Sequence, residues 1–531
     1  MADMNVEILD STLRDGAQGE GISFSVQDKI HICQALDELG ISLIEAGNPG
    51  SNPKDMEFFQ EMKKIPLKNS KLAAFGATRR KDIKCAEDVN LQSLLAAGTE
   101  YVVIFGKSWT FQVTDIIKTT LEENLAMIRD TCAFLRENGR KVVYDAEHFF
   151  TGFLADPEYA LKSLEAAVEG GAETLALCET KGGCMLKDVE RAVSAAVQRV
   201  SGRAKIGIHT HNDCGLAVAN SLIAVEAGAR HVQGTFLGFG ERTGNANLSC
   251  IIPDLQLKMG YECIPQENIR NLTEIAKRIA EITNISLNSG LPYVGGSAFS
   301  HKAGMHIDAV LKNPEAYEHI SPETVGNERV FLMSEVAGRS TIIEKIQKID
   351  PTITKSSPAV AELVKKMKEL EFDGYQFEGA DGSFELLARK VIGRYKPFFS
   401  LHYYQTSGMN PRIEEGVCAT AQIKVEVDGQ IEVTAGEGDG PVNALDIALR
   451  KALSRFYPAV NQIRLTDYKV RVLDGKSATA SKVRVLIESS DGKSTWTTIG
   501  VSSDVMEASW LALCDSFEYK LINDIEKHLG K

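Results

Sequence analysis

The sequence of 531 residues has no long apolar run and no excess of positive charge. None of its apolar runs approaches the roughly 18 residues of a membrane-spanning helix. Aspartate and glutamate (72) outnumber lysine and arginine (59), so the formal net charge is −13. A chain this acidic does not favour nucleic acid or an anionic membrane surface as its main partner. The first residues also lack the basic and apolar segments of a secretory signal. We therefore expect a cytoplasmic protein with no nucleic-acid and no membrane partner.

Paired cysteines and internal repeats are missing as well. The ten cysteines are scattered, and none forms a C-x-x-C pair. In a chain of this length, scattered cysteines indicate reduced and mostly buried thiols rather than a disulfide framework. A single catalytic cysteine is the alternative interpretation. No repeat of 20–50 residues runs along the chain, which argues against a solenoid or a propeller.

The first 270 residues, in contrast, show a regular alternation of short apolar runs and helical patterns. The apolar runs are 6–9, 42–46, 71–75, 101–105, 141–145, 174–178, 205–209 and 231–235. Residues 25–40 and 157–171 have apolar residues at helical spacing, and Gly40 predicts a helix C-cap. Eight β-α units predict a (β/α)8 TIM barrel over residues 1–275. A doubly wound open sheet is the alternative.

The remaining sequence predicts two further regions. Residues 276–397 contain a glycine-rich passage and charged helical patterns, which predict helical connector subdomains that contribute to the active site. From residue 398, alternating patterns predict strands at 417–427, 468–474 and 481–489, and helical patterns cover 442–455 and 503–521. We therefore predict a separate C-terminal α+β domain over residues 398–531.

Polar residues follow the predicted barrel strands, where the active sites of such barrels lie. They are Asp10, Arg14, Asp15, Glu45, Glu147, His148, Thr180, His209 and His211, together with residues 239–247. In an extended segment, residues two apart point to the same side, so His209 and His211 can bind one metal ion. Two such histidines on their own are more often core or surface residues, but their position at a strand end favours a metal site.

The remaining ligands and a neighbouring cation complete this prediction. Asp15 would supply a carboxylate and Asn245 a neutral ligand, a set that suits a catalytic zinc, manganese or magnesium ion. Arg14 would supply a second fixed positive charge for a developing enolate or alkoxide oxygen. The alternative role for Arg14 is a salt bridge to Glu45 or Glu147, and both roles can hold together. The glycines after Asp15 allow a sharp turn and leave room for a substrate.

Taken in order, these motifs resemble the metal-dependent synthases that condense acetyl-CoA with 2-oxo acids. This family includes isopropylmalate, homocitrate and citramalate synthases. The resemblance covers nearly the whole chain and rests on STLRDG (11–16), EHF (147–149), LCETKGG (177–183), HTHND (209–213) and GERTGNAN (240–247). Further phrases are similar to the longer bacterial and archaeal citramalate synthases: GNPGSNPKD (47–55), ATRRK (77–81), FGKSWT (105–110) and FDGYQFEGADGSFELL (372–387). Asn48 and the Glu179-Thr-Lys stretch depart from the family pattern near the site.

The resemblance implies a Claisen-type condensation of acetyl-CoA with pyruvate and water that yields (R)-citramalate and CoA. This reaction would open a threonine-independent route to isoleucine. Metal ligands would be Asp15, His209, His211 and Asn245. Arg14 and Glu147 would be catalytic, and the substrates would be held by Arg14, Thr180, Glu45 and Asp308.

The resemblance also assigns the base and the regulatory region. The base that deprotonates the acetyl group would be His306, with Asp308 orienting it and Tyr317 nearby; His301 is the alternative. The stretch GEGDGPVNALDIAL (436–449) resembles the amino-acid-sensing dimer domain of the same enzymes. Gly438, Gly440 and Asn443 would then form the effector site, with isoleucine as feedback effector and a homodimer as the assembly. A phosphate-binding loop is disfavoured because no lysine–threonine pair follows the glycines.

Several alternatives stay open at this level. A 2-isopropylmalate or homocitrate synthase would use the same chemistry on a larger 2-oxo acid, a lyase would cleave the bond, and a silent sensor would lack catalysis. Pocket residues decide between similar 2-oxo acids. The sequence offers Phe75, Tyr101, Ile104 and Tyr144 for that role, and Arg79, Arg80 and Lys107 as contacts for the CoA phosphates.

Overall fold

The computed structural model describes residues 4–331, 339–354, 357–377, 379–408, 418–473, 481–492 and 494–528. Contacts divide the chain into two units, Met1–Phe299 with Ile320–Arg329, and Ser300–His319 with Val330–Lys531. Val417 and Asp474, at the ends of two predicted strands, lie outside the described residues. Among the helices that the structure describes, none has the length and apolar content to cross a membrane.

The first unit is built on a closed barrel of eight parallel strands in sequence order. The strands are β1 (Glu7–Asp10), β2 (Leu43–Glu45), β3 (Lys71–Ala77), β4 (Tyr101–Lys107), β5 (Lys141–Glu147), β6 (Thr174–Glu179), β7 (Lys205–Thr210) and β8 (His231–Gly234). The barrel closes where β1 pairs with β8, with Leu9 opposite Gln233. All eight predicted strands are confirmed, and the open-sheet alternative is wrong.

Helices cover the outside of the barrel. They are α1 (Val26–Leu39), α2 (Pro53–Met62), α3 (Val89–Ala97), α4 (Leu121–Glu137), α5 (Phe149–Ala155), α6 (Pro157–Glu169), α7 (Leu186–Val200), α8 (Ala217–Glu226), α9 (Leu248–Pro253) and α10 (Leu272–Ile282). Helix α1 begins with a capping box, in which the side chains of Ser25 and Asp28 accept each other's backbone N–H. It ends at Gly40 in the left-handed conformation (φ 97°), which confirms the predicted C-cap.

Side chains alternate between the inside and the outside of the barrel along each strand. Leu9, Leu43, Ala73, Val103 and Val143, from strands β1 to β5, form an apolar cluster inside the barrel. Their sequence neighbours, such as Ile104 and Tyr144, pack outward into the core beneath the helices and are fully buried. The alternation therefore decides which residue at each strand end faces the mouth of the barrel.

The second unit contains the connector helices and the C-terminal strands. The short strands β9 (Ser300–His301) and β10 (Val330–Phe331) pair in parallel. The helices are α11 (Gly304–Lys312), α12 (Arg339–Ile349), α13 (Pro358–Phe372) and α14 (Asp381–Val391). Ile346, Leu363 and Phe384 belong to the core that α12, α13 and α14 share.

Two antiparallel three-stranded sheets follow in the same unit. They are β11 (Phe399–Gly408), β12 (Ala419–Val427) and β13 (Gln430–Gly438), and β14 (Arg464–Val472), β15 (Val483–Ser490) and β16 (Thr495–Ser502). Helix α15 (Pro441–Ser454) contacts the first sheet and α16 (Val505–His528) the second, which confirms the α+β prediction. Helix α14 packs on α16, where Ser383 donates to Asp515 over 2.6 Å. The predicted domain boundary at residue 397 lies between α14 and α16 in the sequence. This boundary stays a prediction.

Candidate active site

Three predicted metal ligands converge at the carboxyl end of the barrel. One ligand atom each from Asp15, His209 and His211 lies within 4.8 Å of the others, and all three residues are buried. Nε2 of His209 is 3.5 Å from Oδ2 of Asp15, and the two imidazole rings lie 5.3 Å apart. The strand alternation explains this, because His209 at the end of β7 and His211 just beyond it point to the same side.

Asn245, the fourth predicted ligand, lies next to this cluster, because its backbone forms an isolated β-bridge with that of His211. Its Nδ2 donates to the Phe239 carbonyl over 3.0 Å, which turns Oδ1 the other way. Oδ1 of Asn245 and Nδ1 of His211 are buried and have no hydrogen-bond partner among the described residues. Buried polar atoms are rarely left unpaired. One carboxylate, two imidazoles and an amide oxygen therefore fit a divalent cation such as zinc, manganese or magnesium.

The protonation states of these residues suit metal binding. Burial lowers the pKa of His209 to about 4, so the ring is neutral at pH 7. Burial also lowers the pKa of His211. Burial alone would raise the pKa of Asp15, but the charge of Arg14, together with the neighbouring histidines when they are protonated, outweighs it and the pKa is lowered. A neutral imidazole and an ionised carboxylate are the forms that bind metals.

Arg14 is held in one orientation beside this cluster. Its Nε donates to Oε2 of Glu45 over 2.6 Å, and its Nη1 lies 3.3 Å from Oδ2 of Asp15. The guanidinium carbon lies 3.7 Å above the Phe75 ring. Ser11 also donates to Oε2 of Glu45, while Oε1 is buried without a partner in the described chain. Both interpretations of Arg14 remain compatible, since the salt bridge to Glu45 orients the cation toward the site.

A cavity of about 250 Å³ opens at this cluster. It is lined by Arg14, Asp15, Gln18, Phe75, Phe105, Asp145, Glu147, Cys178, Thr180, His209, His211, Glu241 and Arg242. The Phe75 and Phe105 rings are stacked, with centroids 5.3 Å apart, and form an apolar wall. A second cavity of about 310 Å³ shares Arg14, Gln18 and Phe75 with the first.

Three of the four predicted pocket residues do not line this cavity. Ile104 and Tyr144 face outward, since each lies one position away from an inward-facing residue. Tyr101 faces inward but lies at the first position of β4, at the opposite end of the barrel. Phe105, at the mouth end of β4, lines the cavity instead. Counting by twos from the strand ends would have found Phe105 and Asp145.

Glu147 and Thr180 line the cavity as expected. Glu147 forms an ion pair with Lys107. The Thr180 hydroxyl accepts a hydrogen bond from the backbone of His148 over 2.9 Å. Since Lys107 is paired with Glu147, it is not a free contact for a CoA phosphate.

The other two candidates for CoA contacts differ from each other. Arg79 is buried and pairs with Glu123 at 2.7 Å and with Asp130 at 2.9 Å, so its charge stabilises the barrel. Arg80 is exposed. The structure therefore leaves Arg80 as the accessible cation of the three.

The two residues that depart from the family pattern hold loops. Asn48 Oδ1 accepts from the backbone of Gly50, and the Asn48 backbone donates to Asp55. Glu179 is buried, and backbone N–H groups of Gly183 and Cys184 donate to it. Both side chains therefore stabilise turns beside the site.

The thiol in the cavity does not have the properties of a nucleophile. Cys178 lines the cavity, and burial raises the pKa of its thiol well above the usual value. A nucleophilic cysteine requires the thiolate form. All ten cysteines are free. The alternative of a catalytic cysteine therefore finds no support at this site.

The predicted base and its neighbours lie in the second unit. His306 on α11 is exposed, and its ring stacks on Tyr317 with centroids 4.2 Å apart. Asp308 accepts a hydrogen bond from Lys312 over 2.6 Å, and residues two apart on a helix do not face each other. His301 lies 3.1 Å from Glu318. The structure thus brings His306 and Tyr317 together, while the orienting role of Asp308 stays a prediction.

The predicted effector residues form the turn between β13 and α15. Gly440 is the N-cap of α15 and provides no side-chain cap. Oδ1 of Asn443 accepts from the backbone of Asp439 over 3.3 Å. A Cβ at Gly438 would lie 2.2 Å from Oδ1 of Asn443, so the turn requires glycine there. Their regulatory role stays a prediction.

Known proteins are similar to this chain along its whole length. Residues 5–282 match the HMGL-like family, residues 293–374 the homocitrate synthase post-HMGL domain-like family, and residues 378–521 the LeuA allosteric (dimerisation) domain. The chain is 51% identical to an (R)-citramalate synthase of Aquifex aeolicus, over 98% of this chain and 99% of that protein. It is 48% identical to an (R)-citramalate synthase of Synechocystis, over 97% of this chain and 96% of that protein. A protein of Methanopyrus kandleri named "Probable 2-isopropylmalate synthase" is 30% identical, over 95% of this chain and 96% of that protein.

Proposed function

This chain belongs to the family of (R)-citramalate synthases, and from that premise we propose that it condenses acetyl-CoA with pyruvate and water to give (R)-citramalate and CoA. The identity of 51% over nearly the whole of both chains carries the proposal. The cluster of Asp15, His209, His211 and Asn245 supports it, because these residues would hold a divalent ion, and that ion would polarise the carbonyl of a 2-oxo acid as a Lewis acid.

Arg14 stabilises the oxygen that gains charge when the new carbon–carbon bond forms. Its guanidinium is fixed by Glu45 and by the Phe75 ring, so little reorganisation is needed as the charge develops. Burial alone would lower the pKa of Arg14, but Glu45 and Asp15 outweigh it and the pKa is raised. The cation therefore persists at every working pH.

In this proposal Thr180 binds one substrate and Glu147 the other, in the cavity that Arg14 also lines. The Thr180 hydroxyl lies at the cavity wall and can donate to the carboxylate of pyruvate while it accepts from the His148 backbone. Glu147 positions the acetyl group and is itself oriented by Lys107. Holding both reactants in one geometry replaces an encounter in solution by a step within one complex.

His306 removes the proton from the acetyl methyl group in this proposal, and Tyr317 supports the ring through stacking. The C–H groups of the acetyl methyl are very weak acids, so the base must be held close to them. The pantetheine arm of acetyl-CoA, which carries the thioester, enters through the second cavity. This cavity shares Arg14 and Phe75 with the first. Asn48, Ser51 and Asn52 line that cavity with polar groups that can bind the amides of the arm.

The C-terminal region serves assembly and feedback in this proposal. We infer a homodimer, because the match to a dimerisation domain coincides with exposed apolar residues on the outer strands, such as Ile431, Val433 and Val470. Isoleucine is the proposed effector, bound at the Gly438–Gly440–Asn443 turn, and the enzyme would serve a threonine-independent route to isoleucine. The ten free thiols and the charge of −13 support a cytoplasmic location.

The test is the release of free thiol from acetyl-CoA with pyruvate, 2-oxobutyrate, 2-oxoisovalerate and 2-oxoglutarate. We expect a preference for pyruvate that disappears when a chelator is added and returns with a divalent ion. Preference for 2-oxoisovalerate or 2-oxoglutarate would move the chain to 2-isopropylmalate or homocitrate synthesis. Absence of thiol release with all four acids would contradict the proposed condensation.

A further inference from the structure

Gln233 is a fully buried polar side chain that lies directly behind the metal-ligand cluster. It belongs to β8, and its Oε1 lies 3.0 Å from Nδ1 of His209 on β7. Its Nε2 donates to Oδ1 of Asp145 on β5 over 2.8 Å. Three strands thus contribute one hydrogen-bonded chain, Asp145–Gln233–His209, inside the barrel.

Asp145 determines which way the amide of Gln233 points. Oδ1 accepts when the carboxyl group is ionised, and it also accepts when the carboxyl proton is on Oδ2, so the amide NH2 turns toward it. The amide oxygen is then directed at His209. Because an amide oxygen only accepts, Nδ1 of His209 must carry the proton.

The tautomer that results is the one that the ligand cluster requires. With the proton on Nδ1, the lone pair of His209 lies on Nε2, the atom that faces Oδ2 of Asp15 at 3.5 Å. A ligating histidine whose other nitrogen donates to a fixed acceptor keeps one ring orientation and becomes more basic. An unanchored glutamine amide could rotate by a half turn, and its NH2 would then favour the tautomer with the lone pair on Nδ1.

We propose that Gln233 and Asp145 are positioning residues that fix the tautomer and the ring orientation of His209 for a divalent cation. Gln233 acts directly on the histidine, and Asp145 acts through Gln233 by locking its amide. The proposal deepens the proposed function, since it concerns the same metal site. Neither residue needs to touch the substrate for this role, although Asp145 also lines the cavity.

The experiment measures Co²⁺ binding to the full-length, metal-stripped protein by its visible absorption, with thermal unfolding of each metal-free variant as a check on folding. Gln233→Leu removes both hydrogen bonds at similar volume, and we expect Co²⁺ affinity to fall about 10- to 100-fold. Gln233→Glu keeps an acceptor for His209, and we expect affinity within about threefold of the original. Gln27→Leu, an exposed glutamine on α1, is the matched control and should leave the affinity unchanged.

Asp145 variants test the second link, and their result does not depend on the folding of the Gln233 variants. Asp145→Asn retains an oxygen that can accept from Gln233, so we expect affinity within about threefold. Asp145→Leu removes the acceptor and should weaken Co²⁺ binding about tenfold. The visible bands of Co²⁺ should also change in Gln233→Leu and Asp145→Leu, because the ring of His209 is no longer held.

The outcomes separate this inference from the proposed function. Unchanged Co²⁺ affinity in a folded Gln233→Leu protein would overturn the inference, even if thiol release from acetyl-CoA is normal in the original protein. Equal losses in Gln233→Leu and Gln233→Glu would also overturn it, because packing rather than an acceptor would then be responsible. Loss in the leucine variants with recovery in Gln233→Glu and Asp145→Asn would support it, whichever 2-oxo acid the enzyme uses.

Discussion

The two ends of the barrel each contain a buried histidine on neighbouring strands, and the two histidines have different surroundings. At the carboxyl end, His209 faces Asp15. Glu45, Asn245 and His211 at the same end each have a buried polar atom without a partner in the described chain. At the amino end, Nδ1 of His231 lies 2.8 Å from Oε2 of Glu7, which also pairs with Lys205 at 3.1 Å. Nε2 of His231 is buried without a partner in the described chain.

The comparison shows what distinguishes a binding site from a stabilising network in the same barrel. The charges at the amino end have opposite charges beside them, so their pairing contributes to the stability of the fold. The ligand atoms at the carboxyl end are brought together without partners for all their lone pairs. Burying such unpaired atoms costs free energy unless a ligand binds to them. Active sites of such barrels lie at the carboxyl end. There, ligand atoms of Asp15, His209 and His211 lie within 4.8 Å of one another, whereas the unpaired Nε2 of His231 belongs to no such cluster among the described residues.

Replacing His209 or His231 by alanine, one at a time, tests the difference between the two ends most directly. We expect His209→Ala to lose metal and to lower kcat/KM for citramalate formation at least about a thousandfold. His231→Ala should retain metal and activity but lower the free energy of unfolding by about 2 to 3 kcal/mol, because Glu7 loses its buried partner. Metal content, kinetics and denaturant unfolding of both proteins would measure this. Equal loss of metal in the two variants would contradict the division.

A pair of arginines gives the next largest effect. Arg14→Ala should lower kcat about 10²- to 10³-fold, because the charge at the reacting oxygen is lost. Metal content should stay unchanged, because Arg14 provides none of the proposed ligand atoms. Arg14→Lys should restore little, since a lysine cannot reproduce the fixed planar contacts with Glu45 and Phe75. The control is Arg230→Ala at the amino end, where the side chain donates to the carbonyls of Val225 and Ala229. Near-normal turnover in Arg14→Ala would refute the role assigned to Arg14.

Two aromatic residues on β4 sharpen the comparison within one strand. Phe105 lies at the mouth and Tyr101 at the amino end, and both face inward. Phe105→Ala removes part of the apolar wall and enlarges the cavity. The preference for pyruvate over 2-oxobutyrate should therefore fall about tenfold, as expected for one methylene. Tyr101→Ala should leave this ratio unchanged. The ratio of kcat/KM values for the two acids measures it, and a change in both variants would argue for a general loosening of the barrel.

The smallest effect on activity is expected at Glu7, where the signature is pH-dependent stability. Burial alone would raise the pKa of Glu7, but His231 and Lys205 outweigh it and lower the pKa from 4.5 to about 2. The ionised form therefore stabilises the fold fully above pH 4.5, and this contribution is lost as the pH falls toward 2. Glu7→Gln should lower the free energy of unfolding by about 3 kcal/mol at pH 7 and have almost no effect near pH 2.

Urea unfolding of both proteins between pH 2 and pH 7 measures this difference, with thiol release at pH 7 as the activity control. A constant difference between Glu7→Gln and the original protein across this range would show that the carboxylate charge is not responsible. A loss of activity in Glu7→Gln would place functional groups at the amino end.

The sequence by itself determined the barrel and much of its site. Eight apolar runs separated by helical patterns specify the barrel, because the strands of a parallel barrel are covered on both faces. Caps such as Ser25 and Gly40 set the beginning and the end of a helix locally. The His209–His211 spacing and the position of Asp15 after β1 also follow from the chain alone, since strand ends meet at one edge of the barrel.

Only the tertiary structure decided which neighbours complete that site. A shift of one residue reverses the face of a strand, so Asp145 and Phe105 line the cavity while Tyr144 and Ile104 pack beneath the helices. Gln233 and Asp145 are 88 positions apart in the chain and lie on different strands. No local sequence pattern predicts a contact between residues so far apart. The physical reason is that propensity and capping act within a few residues, whereas the register of a closed barrel is set by all eight strands together.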